Sequence, residues 1–215
     1  MGFPTSSIDS ITRLVVDTST IINLNATGCA ERILQALPAK VIVVDVILGE
    51  LDEGRPHGRP DADMLRELVA SGIIEIVALG DESAEHFEKL VVGPAVSTLD
   101  DGEAATIAYA AANDEIAVID ERKAARICAE MYPRLRICNT VDLLALPEVS
   151  RILGEDALIQ AVFQALVRGR MSVLPRDVEW VVGLIGSDKA AACTSLPGCA
   201  RCHDASPNIS NPQRK

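Results

Sequence analysis

Aromatic residues and histidines are scarce in this 215-residue chain, which contains three Phe, two Tyr, one Trp and three His. Stacking of bases on aromatic rings therefore cannot be its main means of binding a nucleic acid. Long hydrophobic runs are also absent: the longest nearly apolar stretches, such as 104–112, fall far short of the ~20 residues that a membrane-spanning helix needs. The sequence thus excludes a membrane-spanning protein, although its mean hydropathy is +0.22.

The first ten residues contain neither the basic nor the apolar segment of a secretory signal, so we expect a cytoplasmic protein. In that compartment the six cysteines are expected to be reduced thiols rather than a disulfide framework. Cys29, Cys128 and Cys138 lie in apolar surroundings and are predicted core residues.

Acidic residues outnumber basic ones by 31 to 20, which gives a formal net charge of −11. The imbalance is confined to residues 1–120, which carry −14, whereas residues 121–215 carry +3. A general nucleic-acid coat would be basic throughout, so this class is excluded. An enzyme that gathers carboxylates around a metal ion, with basic groups beside them, remains compatible with the distribution.

Short β-branched runs alternate with helical patterns along the first part of the chain. In these runs, apolar residues do not alternate with polar ones, which is typical of strands that are buried on both faces in a parallel sheet. The predicted fold is a three-layer α/β domain with a central parallel sheet of about five strands, followed by a C-terminal helical extension. We expect the α/β domain at 1–150, the extension at 151–187 and an irregular, cysteine-containing tail at 188–215. The predicted strands lie at 14–16, 41–44, 73–77, 116–119 and 135–138.

Acidic residues directly follow three of these runs: Asp17, Asp45 and Asp120. Functional sites of open parallel sheets lie at the carboxyl ends of the strands. Taken singly, each acid also has a structural explanation; Asp17 could cap a helix, and Asp100 with Glu103 has the spacing of a capping box. Several acids converging on one edge would repel one another, however, and favour a bound hard cation, Mg²⁺ or Mn²⁺.

Other phosphate chemistries require features that the sequence lacks. Neither GxxxxGK[ST] nor GxGxxG occurs, which argues against nucleotide triphosphate chemistry. The three histidines lie at scattered positions, so a metal-free ribonuclease with paired histidines is not indicated. Metal-dependent phosphodiester hydrolysis remains.

Four segments resemble the successive motifs of PIN domains: VVDTSTIINL at 15–24, DVILGEL at 45–51, LDDGEAATIAYA at 99–110 and VIDERKAARIC at 118–128. The likeness covers about residues 12–187 and is greatest to the VapC-type toxin branch with extra C-terminal helices. The resemblance implies a Mg²⁺- or Mn²⁺-dependent ribonuclease, in which a metal-activated water attacks in line and leaves a 5′-phosphate and a 3′-hydroxyl. It also implies a homodimer and, for a toxin, an antitoxin protein as partner.

When the roles of PIN-domain residues are transferred to the matching positions, the resemblance implies catalytic and metal-binding roles for four acids. It also implies orienting roles for two residues with hydroxyl groups. Asp100 or Asp101 could supply the third carboxylate instead of Glu103. The acids are Asp17, Glu50, Glu103 and Asp120, with Asp101 as a further metal ligand, and the orienting residues are Thr18 and Ser19.

Basic residues follow the last acid motif and could hold RNA phosphates beside the acids. The alternative is a solvated helix face in which Glu121 and Glu130 are their partners. The candidates for RNA binding are Arg122, Lys123 and Arg126, with Arg134 and Arg136 near the last strand and Arg55 and Arg59 in a Pro- and Gly-rich loop.

The C-terminal tail contains Cys199-Ala-Arg-Cys202-His203, which matches the CxxCH pattern of c-type haem attachment. Haem attachment requires export, which the first residues do not support. Cys193 together with these residues could form a zinc site. The third interpretation is an irregular tail without a function.

Two other functions remain open. A PIN-like module could bind RNA or protein without cutting, although it would have no reason to keep mutually repelling carboxylates. A metal-dependent nuclease acting on DNA, or a phosphatase, could use the same acids.

Overall fold

The computed structural model describes residues 13–54 and 58–201. Arg55 and His57 therefore lie outside the described residues, as do Cys202 and His203. The five strands are β1 (Arg13–Val16), β2 (Lys40–Val44), β3 (Ile74–Val77), β4 (Ile116–Val118) and β5 (Arg136–Cys138). They form one parallel sheet in the order β3-β2-β1-β4-β5, which confirms the predicted sheet.

Helices flank this sheet on both faces, as predicted for a three-layer α/β fold. Between the strands the helices are α1 (Thr18–Ala26), α2 (Ala30–Ala36), α3 (Val46–Glu53), α4 (Asp61–Ala70), α5 (Asp81–Val91), α6 (Asp101–Asn113) and α7 (Arg122–Met131). After β5 they are α8 (Thr140–Leu144), α9 (Pro147–Leu153), α10 (Glu155–Gln164), α11 (Val178–Ile185), α12 (Ser187–Ala191) and α13 (Gly198–Arg201). A π turn (Ala165–Gly169) and a 3₁₀ turn (Pro175–Asp177) connect α10 to α11.

The alternating side chains of the central strands bury two separate hydrophobic clusters, one on each face of the sheet. Leu14 and Val16 contribute to one cluster, and Val15, between them, contributes to the other. Helix α6, whose side chains are mostly small and apolar, packs directly on β1, β2 and β4. Its alanines let its backbone approach the sheet closely. Its first turn consequently lies at the carboxyl edge of the sheet, where Asp17 follows β1.

The C-terminal helices bury their apolar face in the same cluster as Leu14 and Val16, through residues such as Leu158, Val162 and Val181. The expectation that the chain becomes irregular at residue 188 is wrong for residues 188–201, which include parts of α12 and all of α13. Cys193 and Leu196 are buried there. Helices α12 and α13 are too short for a helical pattern of apolar residues to be recognised in the sequence. Packing against the preceding helices stabilises such short helices.

Among the described residues, no helix combines the length and the apolar character needed to cross a membrane.

Candidate functional site

Asp17 lies immediately after β1 and caps α1. Its Oδ1 accepts a hydrogen bond from the backbone N–H of Thr20 (2.7 Å), and its Oδ2 accepts one from the Ser19 hydroxyl (2.8 Å). The side chain is almost completely buried. The structure therefore shows the helix-capping role that the sequence allowed.

Asp120 lies two residues beyond β4 and is also buried. Its Oδ1 accepts from the backbone N–H of Thr140 (2.7 Å), and its Oδ2 accepts from the Thr140 hydroxyl (2.6 Å) and from Nδ2 of Asn23 (2.7 Å). Three donors from two other elements thus fix the orientation of this carboxylate at the sheet edge.

The charges of the two aspartates interact. Burial, and after it repulsion from the Asp120 carboxylate, raise the pKa of Asp17 to about 7 against the opposing hydrogen bonds from Thr20 and Ser19. Burial likewise raises the pKa of Asp120, while the bonds from Thr140 and Asn23 oppose the rise. Within residues 13–54 and 58–201, neither carboxylate forms an ion pair with a basic side chain. The arrangement therefore holds negative charge that a cation could compensate.

Glu103 completes the acidic cluster from the first turn of α6. Its pKa is raised to about 8, first by burial and then by a hydrogen bond with Glu121, the charge of Glu121, and the charges of Asp17 and Asp100. Asp101, the alternative ligand, is exposed. Asp100 forms no capping hydrogen bond with its side chain, so the capping-box interpretation is wrong. In the described chain, Glu103 bonds Glu121 instead.

Glu50 lies beside this cluster and contacts the beginning of α6. Its Oε1 accepts a hydrogen bond from the backbone N–H of Gly102 (2.7 Å), and its Oε2 accepts one from the Thr18 hydroxyl. A Cβ at residue 102 would lie 2.8 Å from that hydroxyl oxygen and 2.9 Å from Cδ of Glu50, so alanine there would displace these side chains. Glu50 therefore links α3, α1 and α6 next to Asp17 and Glu103.

The remaining strand-end acid, Asp45, is exposed and accepts a hydrogen bond from the N–H of Val46 (2.9 Å). It caps α3 and does not join the cluster.

The basic residues are distributed differently from the acids. Arg122 is exposed at the start of α7, and Lys123 is half-buried beside it. Arg126 pairs with Glu130 at 3.0 Å, as the solvated-face alternative expected. Arg136 begins β5 and donates to the carbonyl oxygen of Asp114 (3.2 Å). Because it stands at the amino end of its strand, the expectation that it lies beside the acids is wrong.

Three polar groups of the site were not predicted from the sequence. Thr140 follows β5 by two residues, so the rule that selected the strand-end acids could have found it. Glu121 is adjacent to Asp120, but its hydrogen bond to Glu103 depends on how α6 and α7 pack. Asn23 is a buried polar residue in the otherwise apolar segment 21–24, and this contrast could have indicated a role.

The donor chemistry of the cluster fits a hard divalent cation, since carboxylate oxygens are the preferred ligands of Mg²⁺ and Mn²⁺. Within the described residues, no three carboxylate, imidazole or thiol side chains converge on one point at coordination distance. In the structure, Asp17 and Asp120 accept hydrogen bonds from neighbouring donors.

Of the C-terminal cysteines, Cys193 and Cys199 lie among the described residues. Cys193 is buried, and its thiol donates to the carbonyl oxygen of Lys189. Cys199 lies in α13. Since Cys202 and His203 lie outside the described residues, the zinc and haem interpretations stay predictions. Cys128 and Cys138 are buried as predicted, whereas Cys29 is partly exposed.

A family model described as a PIN domain matches residues 13–176. This is about three quarters of the sequence, and the chain belongs to the PIN domain family. PIN domains are generally nucleases and typically depend on divalent metal ions. No curated protein and no solved structure matches the chain significantly.

Proposed function

We propose that this PIN domain is a metal-dependent ribonuclease that hydrolyses RNA phosphodiester bonds with an activated water. One observation carries the proposal: Asp17, Glu103 and Asp120 come from distant parts of the chain, and the charge of Asp17 interacts with each of the other two. Such repulsion lowers stability unless a cation binds, so a purely structural role does not account for it.

A Mg²⁺ or Mn²⁺ ion would be held by Asp17, Glu103 and Asp120, with Glu50 bracing the first turn of α6 beside them. When bound, such an ion lowers the pKa of water and offsets the charge of a phosphodiester transition state. Ser19 and Thr20 orient Asp17, and Thr140 and Asn23 orient Asp120. Asp101 is exposed, and we propose it only as an outer ligand of the ion.

Without a bound ion, the raised pKa of Glu103 favours its protonated form, which can donate a hydrogen bond to Glu121. A metal ion that binds the Glu103 carboxylate would replace this proton. Arg122 and Lys123, at the beginning of the next helix, are the candidates for holding RNA phosphates nearby.

The experiment is cleavage of single-stranded RNA by the purified full chain with Mg²⁺ or Mn²⁺. We expect products with a 5′-phosphate, no cleavage in EDTA and none by Asp17→Asn. Asp156→Asn is the matched control, because Asp156 is an exposed aspartate of α10. Cleavage that persists in EDTA would reject the metal mechanism.

Two further arms distinguish the alternatives. Cleavage of single-stranded DNA but not of RNA would replace the ribonuclease by a DNA nuclease. Correct folding without cleavage of either substrate would favour a binding module.

The VapC-type toxin role belongs to the same proposal and needs its own test. Expression of the active chain should arrest growth of the host cell, and Asp17→Asn should not. An antitoxin should relieve the arrest by binding the chain. The proposed homodimer is tested by light scattering of the purified protein.

A further inference from the structure

A second feature of the surface is a groove of about 710 Å³ beside α1. It is lined by one arginine from the loop before α4, Arg59, and by two from the π turn and its end, Arg168 and Arg170. Asp61 also lines the groove and accepts a hydrogen bond from Nδ2 of Asn25 at 3.0 Å. Three arginines and one aspartate thus line the same groove, and the aspartate carboxylate already accepts a hydrogen bond.

The three arginines are not neutralised by the protein. In the part of the chain that the structure describes, no ion pair or side-chain hydrogen bond engages Arg59, Arg168 or Arg170. By contrast, Arg66 and Arg176 each bind aspartate carboxylates. A cluster of unpaired guanidinium groups in a chain of net charge −11 creates a local positive potential that favours an anionic ligand.

The groove lies beside the C-terminal half of α1, the helix that Asp17 caps. A Cβ at Gly169 would lie 3.2 Å from Cα of Asn23 and 3.3 Å from Cβ of Ala26, so the π turn lies directly against α1. Asn23 is the residue that donates to Asp120. From residue 17 to residue 25 the helix advances about 12 Å at 1.5 Å per residue, a length that a few nucleotides of a single strand can span.

We propose that this groove binds the phosphates of a single-stranded RNA segment flanking the bond that is cut, an inference that rests on the proposed ribonuclease function. Arginine forks bind phosphate oxygens in bidentate geometry. Such contacts place the strand without reading its bases, which suits a chain with few aromatic residues. Attraction between the arginines and the RNA phosphates also offsets the repulsion between these phosphates and the carboxylates of the acidic cluster.

The test measures binding of a fluorescein-labelled oligouridylate of roughly 12 nucleotides to the full-length Asp17→Asn protein in Mg²⁺ at several salt concentrations. The variant combines Arg168→Gln with Arg170→Asn. Asparagine is chosen because residue 170 has φ 57°, which asparagine tolerates. The control is Arg151→Gln, which removes an exposed charge of α9 outside the groove.

We expect the double variant to raise Kd roughly tenfold and to reduce the salt slope of log K by about 1.4, since each phosphate contact to a single strand contributes about 0.7. The Arg151→Gln control should change neither quantity as much. Equal Kd and slope in the double variant and the control would overturn the proposal. Circular dichroism confirms that each variant is folded.

Two parallel measurements separate this proposal from the ribonuclease proposal and from another ligand. If the wild-type chain does not cleave RNA but the salt slope falls as expected, RNA binding by the groove is supported and the ribonuclease proposal fails. If the wild-type chain cleaves while the slope is unchanged, the groove proposal alone fails. Binding of a polyglutamate peptide that is lost in the double variant, with RNA binding intact, would assign the groove to an acidic protein and overturn the RNA proposal.

Discussion

Thr140 gives Asp120 two hydrogen bonds, one from its backbone N–H at 2.7 Å and one from its hydroxyl at 2.6 Å. The two residues follow neighbouring strands, β5 and β4, so the parallel sheet itself brings them together. Both bonds favour the ionised carboxylate and oppose the rise in the pKa of Asp120 that burial causes. The carboxylate is thus oriented and kept available as a ligand by a residue that carries no charge.

Replacing Thr140 by Val should test this relationship, because valine preserves the shape of threonine but removes the hydroxyl donor. We expect a loss of about 1–3 kcal/mol in the free energy of unfolding, since a buried acceptor loses a partner. Urea unfolding in EDTA measures it. Thr140→Ser retains the hydroxyl and is the control; equal losses in the two variants would mean that the hydrogen bond is not what stabilises the site.

The raised pKa values predict how stability depends on pH when no metal ion is bound. The native pKa of Asp17 is about 7 and that of Glu103 about 8, whereas both groups titrate near 4 in an unfolded chain. Between these limits the native state binds more protons than the unfolded state, so the free energy of unfolding falls as pH rises. Above the native pKa values the loss is complete.

Melting temperatures in EDTA should therefore be lower at about pH 8.5 than at about pH 5.5, a window above the titration of ordinary carboxyl groups. Added Mg²⁺ should raise the melting temperature more at the higher pH, because the ion binds the ionised carboxylates. Asp17→Asn should remove part of this dependence. A metal-free protein with the same melting temperature at both pH values would contradict the prediction.

Glu121→Gln should lower the pKa of Glu103 from about 8 toward its ordinary value. The substitution removes the charge of Glu121, and this charge and the hydrogen bond to Glu121 are the main causes of the raised pKa after burial. Carboxyl ¹³C NMR titration of the metal-free protein measures the change. Glu130→Gln is the control: it removes an exposed glutamate of α7, the helix that follows Glu121. It should leave the pKa of Glu103 unchanged. A similar shift in both variants would exclude a specific Glu103–Glu121 contact.

Gly102→Ala should destabilise the protein by about 1–3 kcal/mol, since the new Cβ would collide with Thr18 and Glu50. It should also reduce cleavage, because the displaced first turn of α6 carries Glu103. Thermal unfolding and RNA cleavage measure the two effects.

Gly183→Ala is the matched control for this helix substitution, because a Cβ at residue 183 meets nothing within 4 Å. In the interior of α11 it should stabilise the protein by ~0.5–1 kcal/mol. If Gly102→Ala behaves in the same way, the contact with Glu50 does not constrain residue 102.

The predicted sheet and the positions of Asp17 and Asp120 followed from the sequence because they depend on local rules. A short β-branched run makes a buried parallel strand, and a residue that follows such a strand lies at the carboxyl edge whatever packs around it. The role of Glu103, by contrast, was assigned from the resemblance to PIN domains and not from a local rule.

The tertiary structure decided the rest. Three features of the structure join segments that are distant along the chain. They are the bond between Glu103 and Glu121, the contact of Glu50 with Gly102, and the groove shared by Arg59, Arg168 and Arg170. A local pattern specifies which face of a helix is buried, but not which residue of another element lies opposite it. That choice is made when helices pack into grooves of the sheet and of one another, because only then are side-chain distances, burial and repulsion defined.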